Sequence, residues 1–147
     1  MKVEWLILAD YAEIVGNKLY LQGGGWDVFT VNTGFPANKI CGLASSVRVP
    51  WNETNQRHDF EIEVQTDDGQ SLARIQAQFE VGRPPGLPSG QDQRWQLGGN
   101  LGLTLDKPGT YAIVARIEGQ EGARIHFNVM PGPMLSMQQP PPQQGAA

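Results

Sequence analysis

The chain has 147 residues, a formal charge of −4 and a pI of about 5.1, a size that fits one domain burying roughly two-thirds of its unfolded surface. The acidic balance argues against a nucleic-acid partner, which calls for clustered lysine and arginine. Cys41 is the single cysteine, so no disulfide can form within one chain, and its apolar neighbours mark it as a small buried thiol rather than a reactive one.

The segment Met1–Asp10 places a lysine before a greasy run, yet Glu4 interrupts it and Asp10 ends it, whereas a secretory core needs about 7 to 15 apolar residues. It reads as a buried strand. No segment approaches the roughly 20 apolar residues of a membrane span, and with the lone thiol this leads to an expectation of a cytoplasmic protein with no membrane partner.

Val3 to Ala9 is apolar at both parities, as in a strand covered on both faces or lying at a subunit contact. Asp10 to Asn17 reads as a connection ending in the turn pair Gly16-Asn17, and Lys18 to Gln22 as a short strand with Leu19 and Leu21 inward. Gly23-Gly24-Gly25 breaks that strand before Trp26 to Val31 begins another. A phosphate-cradling loop would open a helix, so a turn or bulge is expected here.

Asn32 to Asn38 is a loop around Phe35-Pro36. In Lys39 to Val49, Cys41, Leu43, Ser45, Val47 and Val49 share one parity, while Gly42, Ala44, Ser46 and Arg48 share the other. The small residues of the second set fit either a solvated surface or a platform against which something packs closely. After the polar connection Pro50 to Gln56 a hairpin follows. Phe60, Ile62 and Val64 alternate with acids, Asp67-Asp68-Gly69 turns the chain, and Ala73, Ile75, Ala77, Phe79 and Val81 alternate with polar residues that face water.

Gly82 to Gln91 holds three prolines and three glycines in ten residues, so it is neither helix nor central strand. It is expected to cross between sheets or to bind. Arg94 to Leu97 resumes a strand and Gly98-Gly99 marks a bulge. From Leu101 to Met130 three alternating runs, around Leu103, Ile113 and Phe127, predict a three-stranded meander with one apolar face, which a second sheet must cover. The expected fold is all-β: a two-sheet antiparallel β-sandwich of immunoglobulin-like type with about 8 to 9 strands over residues 1–130. A Pro/Gln-rich disordered tail is expected over 131–147.

A search for reactive constellations yields none. His58 and His126 show no metal-binding spacing, Asp67, Asp68 and Asp106 fit turn chemistry better than a calcium loop, and no nucleophile motif occurs. The expectation is of no catalytic residue, no cofactor and no metal. Tyr111 follows the turn Asp106–Thr110 and starts a strand, resembling the tyrosine corner of immunoglobulin-like sandwiches, although Ile113 stands where the usual cysteine would be. Of the four tryptophans, Trp5 and Trp95 read as core and Trp26 as a strand start. Trp51, beside Pro50 in a polar loop, is the best candidate for an exposed ring.

Gly16 to Val31, with its Gly-Gly-Gly-Trp element, and Val49 to Gly69, with Val-Pro-Trp-Asn-Glu, resemble a functionally uncharacterised family of small bacterial β-sandwich proteins, over most of residues 3–130. The resemblance implies a fold and no activity. The expected function is a non-enzymatic binding or scaffold protein acting through a protein partner or self-association, with Trp51, Asn52, Arg83, Pro84, Pro85 and Leu87 as the ligand or partner surface. A carbohydrate- or small-ligand-binding module using loop aromatics, and a phage or nanocompartment surface component, are the alternatives.

Overall fold

The structure is a computed structural model that describes residues 1–133. The tail expected over 131–147 therefore lies outside the described residues from position 134 onward. Within the described part, Pro131 belongs to the last strand, paired with Val31, and Gly132 donates its N–H to the Val31 carbonyl at 2.7 Å.

The described residues form nine strands and a 3₁₀ turn at Trp51–Glu53. The strands are β1 (Lys2–Val15), β2 (Lys18–Gly24), β3 (Val28–Val31), β4 (Ala37–Val49), β5 (Arg57–Gln65), β6 (Ser71–Glu80), β7 (Gln93–Leu105), β8 (Gly109–Ile117) and β9 (Gln120–Pro131). They make a four-stranded sheet in the order β2-β1-β4-β7 and a five-stranded sheet in the order β3-β9-β8-β5-β6. Alternating side chains from both sheets fill the space between them. Leu8, Cys41, Leu43 and Leu105 come from the first sheet, and Ile62, Ile113, Phe127 and Val129 from the second, all almost fully buried. The sandwich expected from the alternation is present, with one departure from an antiparallel arrangement: β3 runs parallel to β9.

The meander expected over Leu101–Met130 does not form. β7 pairs with β4 along its whole length, in the four-stranded sheet, while β8 and β9 pair in the other. The turn Asp106–Pro108 thus carries the chain across the sandwich instead of folding it back within a sheet. Gly98 and Gly99 make no bulge, since they sit in unbroken register opposite Ala44 and Leu43. The proline-rich segment between β6 and β7 does link the two sheets, as expected.

The segment expected to be a connection, Asp10–Val15, is strand. β1 pairs with β4 from Lys2 to Ala9 and with β2 from Ala9 to Val15, the tip of that hairpin being Gly16-Asn17, both with φ near +58 (+57 and +59) as a two-residue turn of mirror type demands. Beyond Ala9 the strand crosses the outer face of its own sheet. A Cβ placed on Gly42 would lie 2.5 Å from the Ala12 nitrogen and 2.6 Å from the Tyr11 carbonyl carbon, and one placed on Gly98 would lie 3.1 Å from Ile14. Asn100 grips the crossing backbone at both ends of one residue: Ala12 N–H donates to Oδ1 at 3.0 Å and Nδ2 donates to the Ala12 carbonyl at 2.9 Å. Gln96 Nε2 reaches the Asn17 carbonyl at 2.8 Å. The small residues of β4 are therefore a platform, and what packs on it is the chain's own β1–β2 ribbon.

Farther along the same face, Glu4 spans three strands. It accepts from Ser46 Oγ at 2.8 Å and from both Nε and Nη2 of Arg94 at 2.8 and 3.0 Å. The two-pronged arginine and the hydroxyl hold its carboxyl down at about 2. On the inner face, the register shift between Val3 and Trp5 accompanies a hydrogen bond from buried Ser45 Oγ to the Trp5 carbonyl at 2.9 Å.

Candidate functional site

At one pole of the sandwich β4 ends, and Pro50, extended at φ −69, feeds the single 3₁₀ turn Trp51–Glu53. Thr54 closes the turn by donating its hydroxyl to the Trp51 carbonyl at 2.7 Å. Arg83 comes in from the far end of β6 and lays its guanidinium carbon 3.9 Å from the centre of the Trp51 ring. Its Nε donates to Thr54 Oγ1 at 2.7 Å and its Nη2 to the Trp51 carbonyl at 2.9 Å. Two residues separated by more than thirty positions thus form one stacked platform, and Arg83 has no acidic partner among the described residues.

Of the six residues expected to form a ligand surface, the structure joins Trp51 and Arg83 directly. Asn52 is exposed beside them, its carbonyl accepting from Gln56 Nε2 at 3.1 Å. Pro84 and Pro85 are exposed in a tight turn closed by the Leu87 N–H on the Pro84 carbonyl at 3.2 Å, with Leu87 half-buried. The Trp51 ring, expected to be exposed, is half-buried. One of its faces is taken by Arg83, which leaves a sugar ring only the other.

Directly behind this platform lies a group that sequence spacing did not single out. His58, only 5 % exposed, projects from β5 between two oxygen atoms: Nε2 is 2.8 Å from the Glu53 carbonyl and Nδ1 is 2.8 Å from Glu118 Oε1. Its ring also tilts against Phe79, 5.4 Å away, and Phe79 in turn stacks on Trp95 at 4.0 Å. Burial pulls the imidazole toward its neutral form, but the Glu53 carbonyl and the Glu118 carboxylate outweigh it, and His58 holds its proton more tightly than an ordinary histidine. Glu118 is 60 positions away in the chain, so no local motif could have announced the contact.

The outer face of the five-stranded sheet is a lattice of paired charges. Glu61 and Glu63 on β5 lie between Arg74 on β6 and Arg116 on β8, with the closest contact, Arg74 Nε to Glu63 Oε2, at 2.6 Å. Burial works against the Glu63 carboxylate, yet the hydrogen bonds of Gln65 and Ser71 and the two arginines keep its pKa below the ordinary value. Beside this lattice a shallow groove of about 370 Å³ is lined by Asp59, Glu61, Gln76, Gln78 and Arg116. Its amides are bonded to its acids, Gln76 to Glu61 and Gln78 to Asp59, so the groove presents few free donors. Among the described residues no three His, Cys, Asp or Glu side chains converge as metal ligands would. Cys41, with no exposure, has its thiol pushed up to about 11 by burial, a form with no nucleophilic character at neutral pH.

The outer side of the four-stranded sheet is different in kind. Six large apolar residues stand exposed among those described, and four of them lie here: Tyr11 at 40 %, Val15 at 51 %, Tyr20 at 53 % and Ile40 at 71 %. The first three share the outer face of the ribbon, in the register Glu13 opposite Tyr20 and Val15 opposite Lys18. Ile40 stands on β4 just beyond the place where the ribbon crosses Gly42, opposite Gly102, above which there is open space. The sequence gave no sign of this patch, because Tyr11 and Val15 lay in a segment read as a loop.

Among the described residues no helix is long and apolar enough to cross a membrane. No curated protein matches the chain. The match that exists runs from residue 4 to residue 130, nearly the whole of the sandwich, and on it the chain belongs to DUF6941, a family of unknown function.

Proposed function

We propose that this protein is a non-enzymatic β-sandwich, immunoglobulin-like in its tyrosine corner, that works as a scaffold by associating with a second copy of itself. The observation that carries the reading is the gathering of Tyr11, Val15, Tyr20 and Ile40 on the outer side of one sheet. Tyrosines of this exposure combine a large apolar body with a polar tip and are favoured where proteins meet. A second copy is the occupant that the charges favour: the ribbon face carries one acid, Glu13, and one base, Lys18, so a two-fold arrangement sets each against the other's opposite. A cytoplasmic setting accords with the single buried thiol. The alternative of a sugar stacked on Trp51 is the weaker one, since Arg83 already covers a face of that ring.

Light scattering coupled to size-exclusion chromatography tests the proposal. The wild type is expected to shift from monomer to dimer with rising concentration, and Tyr20→Lys combined with Ile40→Lys to remain monomeric with an unchanged thermal midpoint. A wild type that stays monomeric throughout, or a double variant that still dimerises, would overturn it.

A further inference from the structure

We infer that His58 is a proton-operated latch, a charged imidazolium that ties the Trp51–Arg83 platform to the β8–β9 turn and releases both when it loses its proton. The argument begins with what the two partners can do. A backbone carbonyl only accepts, so the 2.8 Å contact of Nε2 with the Glu53 oxygen needs a hydrogen on Nε2. An ionised carboxylate also only accepts, so the 2.8 Å contact of Nδ1 with Glu118 needs a hydrogen on Nδ1. Only the cation carries both. Either neutral tautomer turns a nitrogen lone pair toward an oxygen lone pair, and one contact becomes repulsive.

The charged groups facing the ring come from every element packed on it. The 3₁₀ turn contributes Glu53, whose carboxylate is engaged by the Met1 amine at 3.0 Å. The β8–β9 turn contributes Glu118, and β6 contributes the uncharged Phe79 ring. On β5 itself Arg57 and Asp59 flank His58 and are exposed. Acids thus dominate the ring's surroundings, which is the physical source of its tightened hold on the proton.

Both tethered elements have reason to move once released. Glu118 sits at φ +50, in the left-handed region that few residues other than glycine adopt, held by its N–H on the Asp59 carbonyl at 2.9 Å and by His58. The 3₁₀ turn is three residues long, and its Trp51 carbonyl is the anchor for both Thr54 and Arg83. Loss of the Glu53 contact therefore loosens the stack that Arg83 makes on Trp51. The latch is closed at and below the ordinary histidine value of 6.5 and opens on its alkaline side.

Nuclear magnetic resonance of the full chain, followed through a pH titration, tests the latch, with the two histidines distinguished by His126→Gln and the indole signals by Trp51→Phe. Expected are two protonated ring nitrogens on His58 at neutral pH, a His58 midpoint above 6.5, and a Trp51 indole signal that moves with that same midpoint. Glu118 is about half exposed, so Glu118→Gln should fold, lower the His58 midpoint and separate the two signals. A His58 midpoint below 6.5, a Trp51 signal that stays still while His58 titrates, or a midpoint indifferent to Glu118→Gln would each overturn the latch.

Discussion

The hydroxyl of Tyr111 donates to the carbonyl of Lys107 at 2.6 Å, fastening the start of β8 to the turn by which the chain passes from one sheet to the other. The ring beneath it is buried and stacked on Phe127, with centroids 5.4 Å apart. Tyr111→Phe keeps the stack and deletes only the bond, so the protein should fold normally and lose about 0.5–1.5 kcal/mol, read from urea unfolding monitored by circular dichroism. An unaltered midpoint would mean that the hydroxyl contributes nothing to the crossing.

Two glycines of the outer face should respond in opposite ways. At Gly42 even a methyl would meet the Tyr11–Ala12 backbone at 2.5 Å, and backbone cannot step aside as a flexible side chain does. Gly42→Ala is expected to lose about 1–3 kcal/mol by overpacking and to speed hydrogen exchange along the ribbon. At Gly102 nothing lies within 4 Å, and Gly102→Ala should stay within about 0.5 kcal/mol of wild type. Equal effects at the two sites, compared by chemical denaturation, would argue against a tightly seated ribbon.

Acid should weaken the protein partly through Glu4. Its folded value of about 2 lies below the ordinary 4.5, so its contribution is complete above 4.5 and fades as pH falls toward 2. Glu4→Gln removes the protonation step, and the fall in thermal midpoint across that acid range should be shallower than in the wild type. Parallel curves for the two proteins would show that the Arg94 pairing does not stabilise the fold.

The stack of Arg83 on Trp51 is open to a direct check. Arg83→Ala removes the guanidinium from the ring and the donors from Thr54 and the Trp51 carbonyl. The expected loss is about 0.5–1 kcal/mol, typical of a solvent-exposed cation over an aromatic ring, together with faster proteolysis within residues 82–92. Unchanged proteolysis would separate the loop's order from the stack.

Period-two alternation revealed the strands and their inward faces, from Cys41 and Leu43 on β4 to Ile113 on β8, because it records which side chains avoid water. It could not reveal which sheet a strand joins. The inner faces of both sheets look into the same interior, so Leu101–Leu105 carries the same rhythm whether β7 pairs with β8 or lies opposite it. Asp10–Val15 was misread for a related reason: its apolar members Ala12 and Ile14 face the outer side of a sheet, where alternation is expected to turn polar. The small residues of β4 left two readings open, and only the ribbon lying on them decides between them. In the candidate site, Trp51 and Arg83 were legible as loop residues rich in recognition chemistry. His58 was not, since its partners are a backbone oxygen and a carboxylate brought near by the sandwich rather than by spacing.

Cys41 stands at the centre of β4 with no surface of its own and a thiol held in its protonated form. An alkylating reagent can therefore reach it only when the two sheets part, and the speed of labelling becomes a clock for whole-molecule opening. Every variant named above can be timed against that one sulfur atom without an added probe.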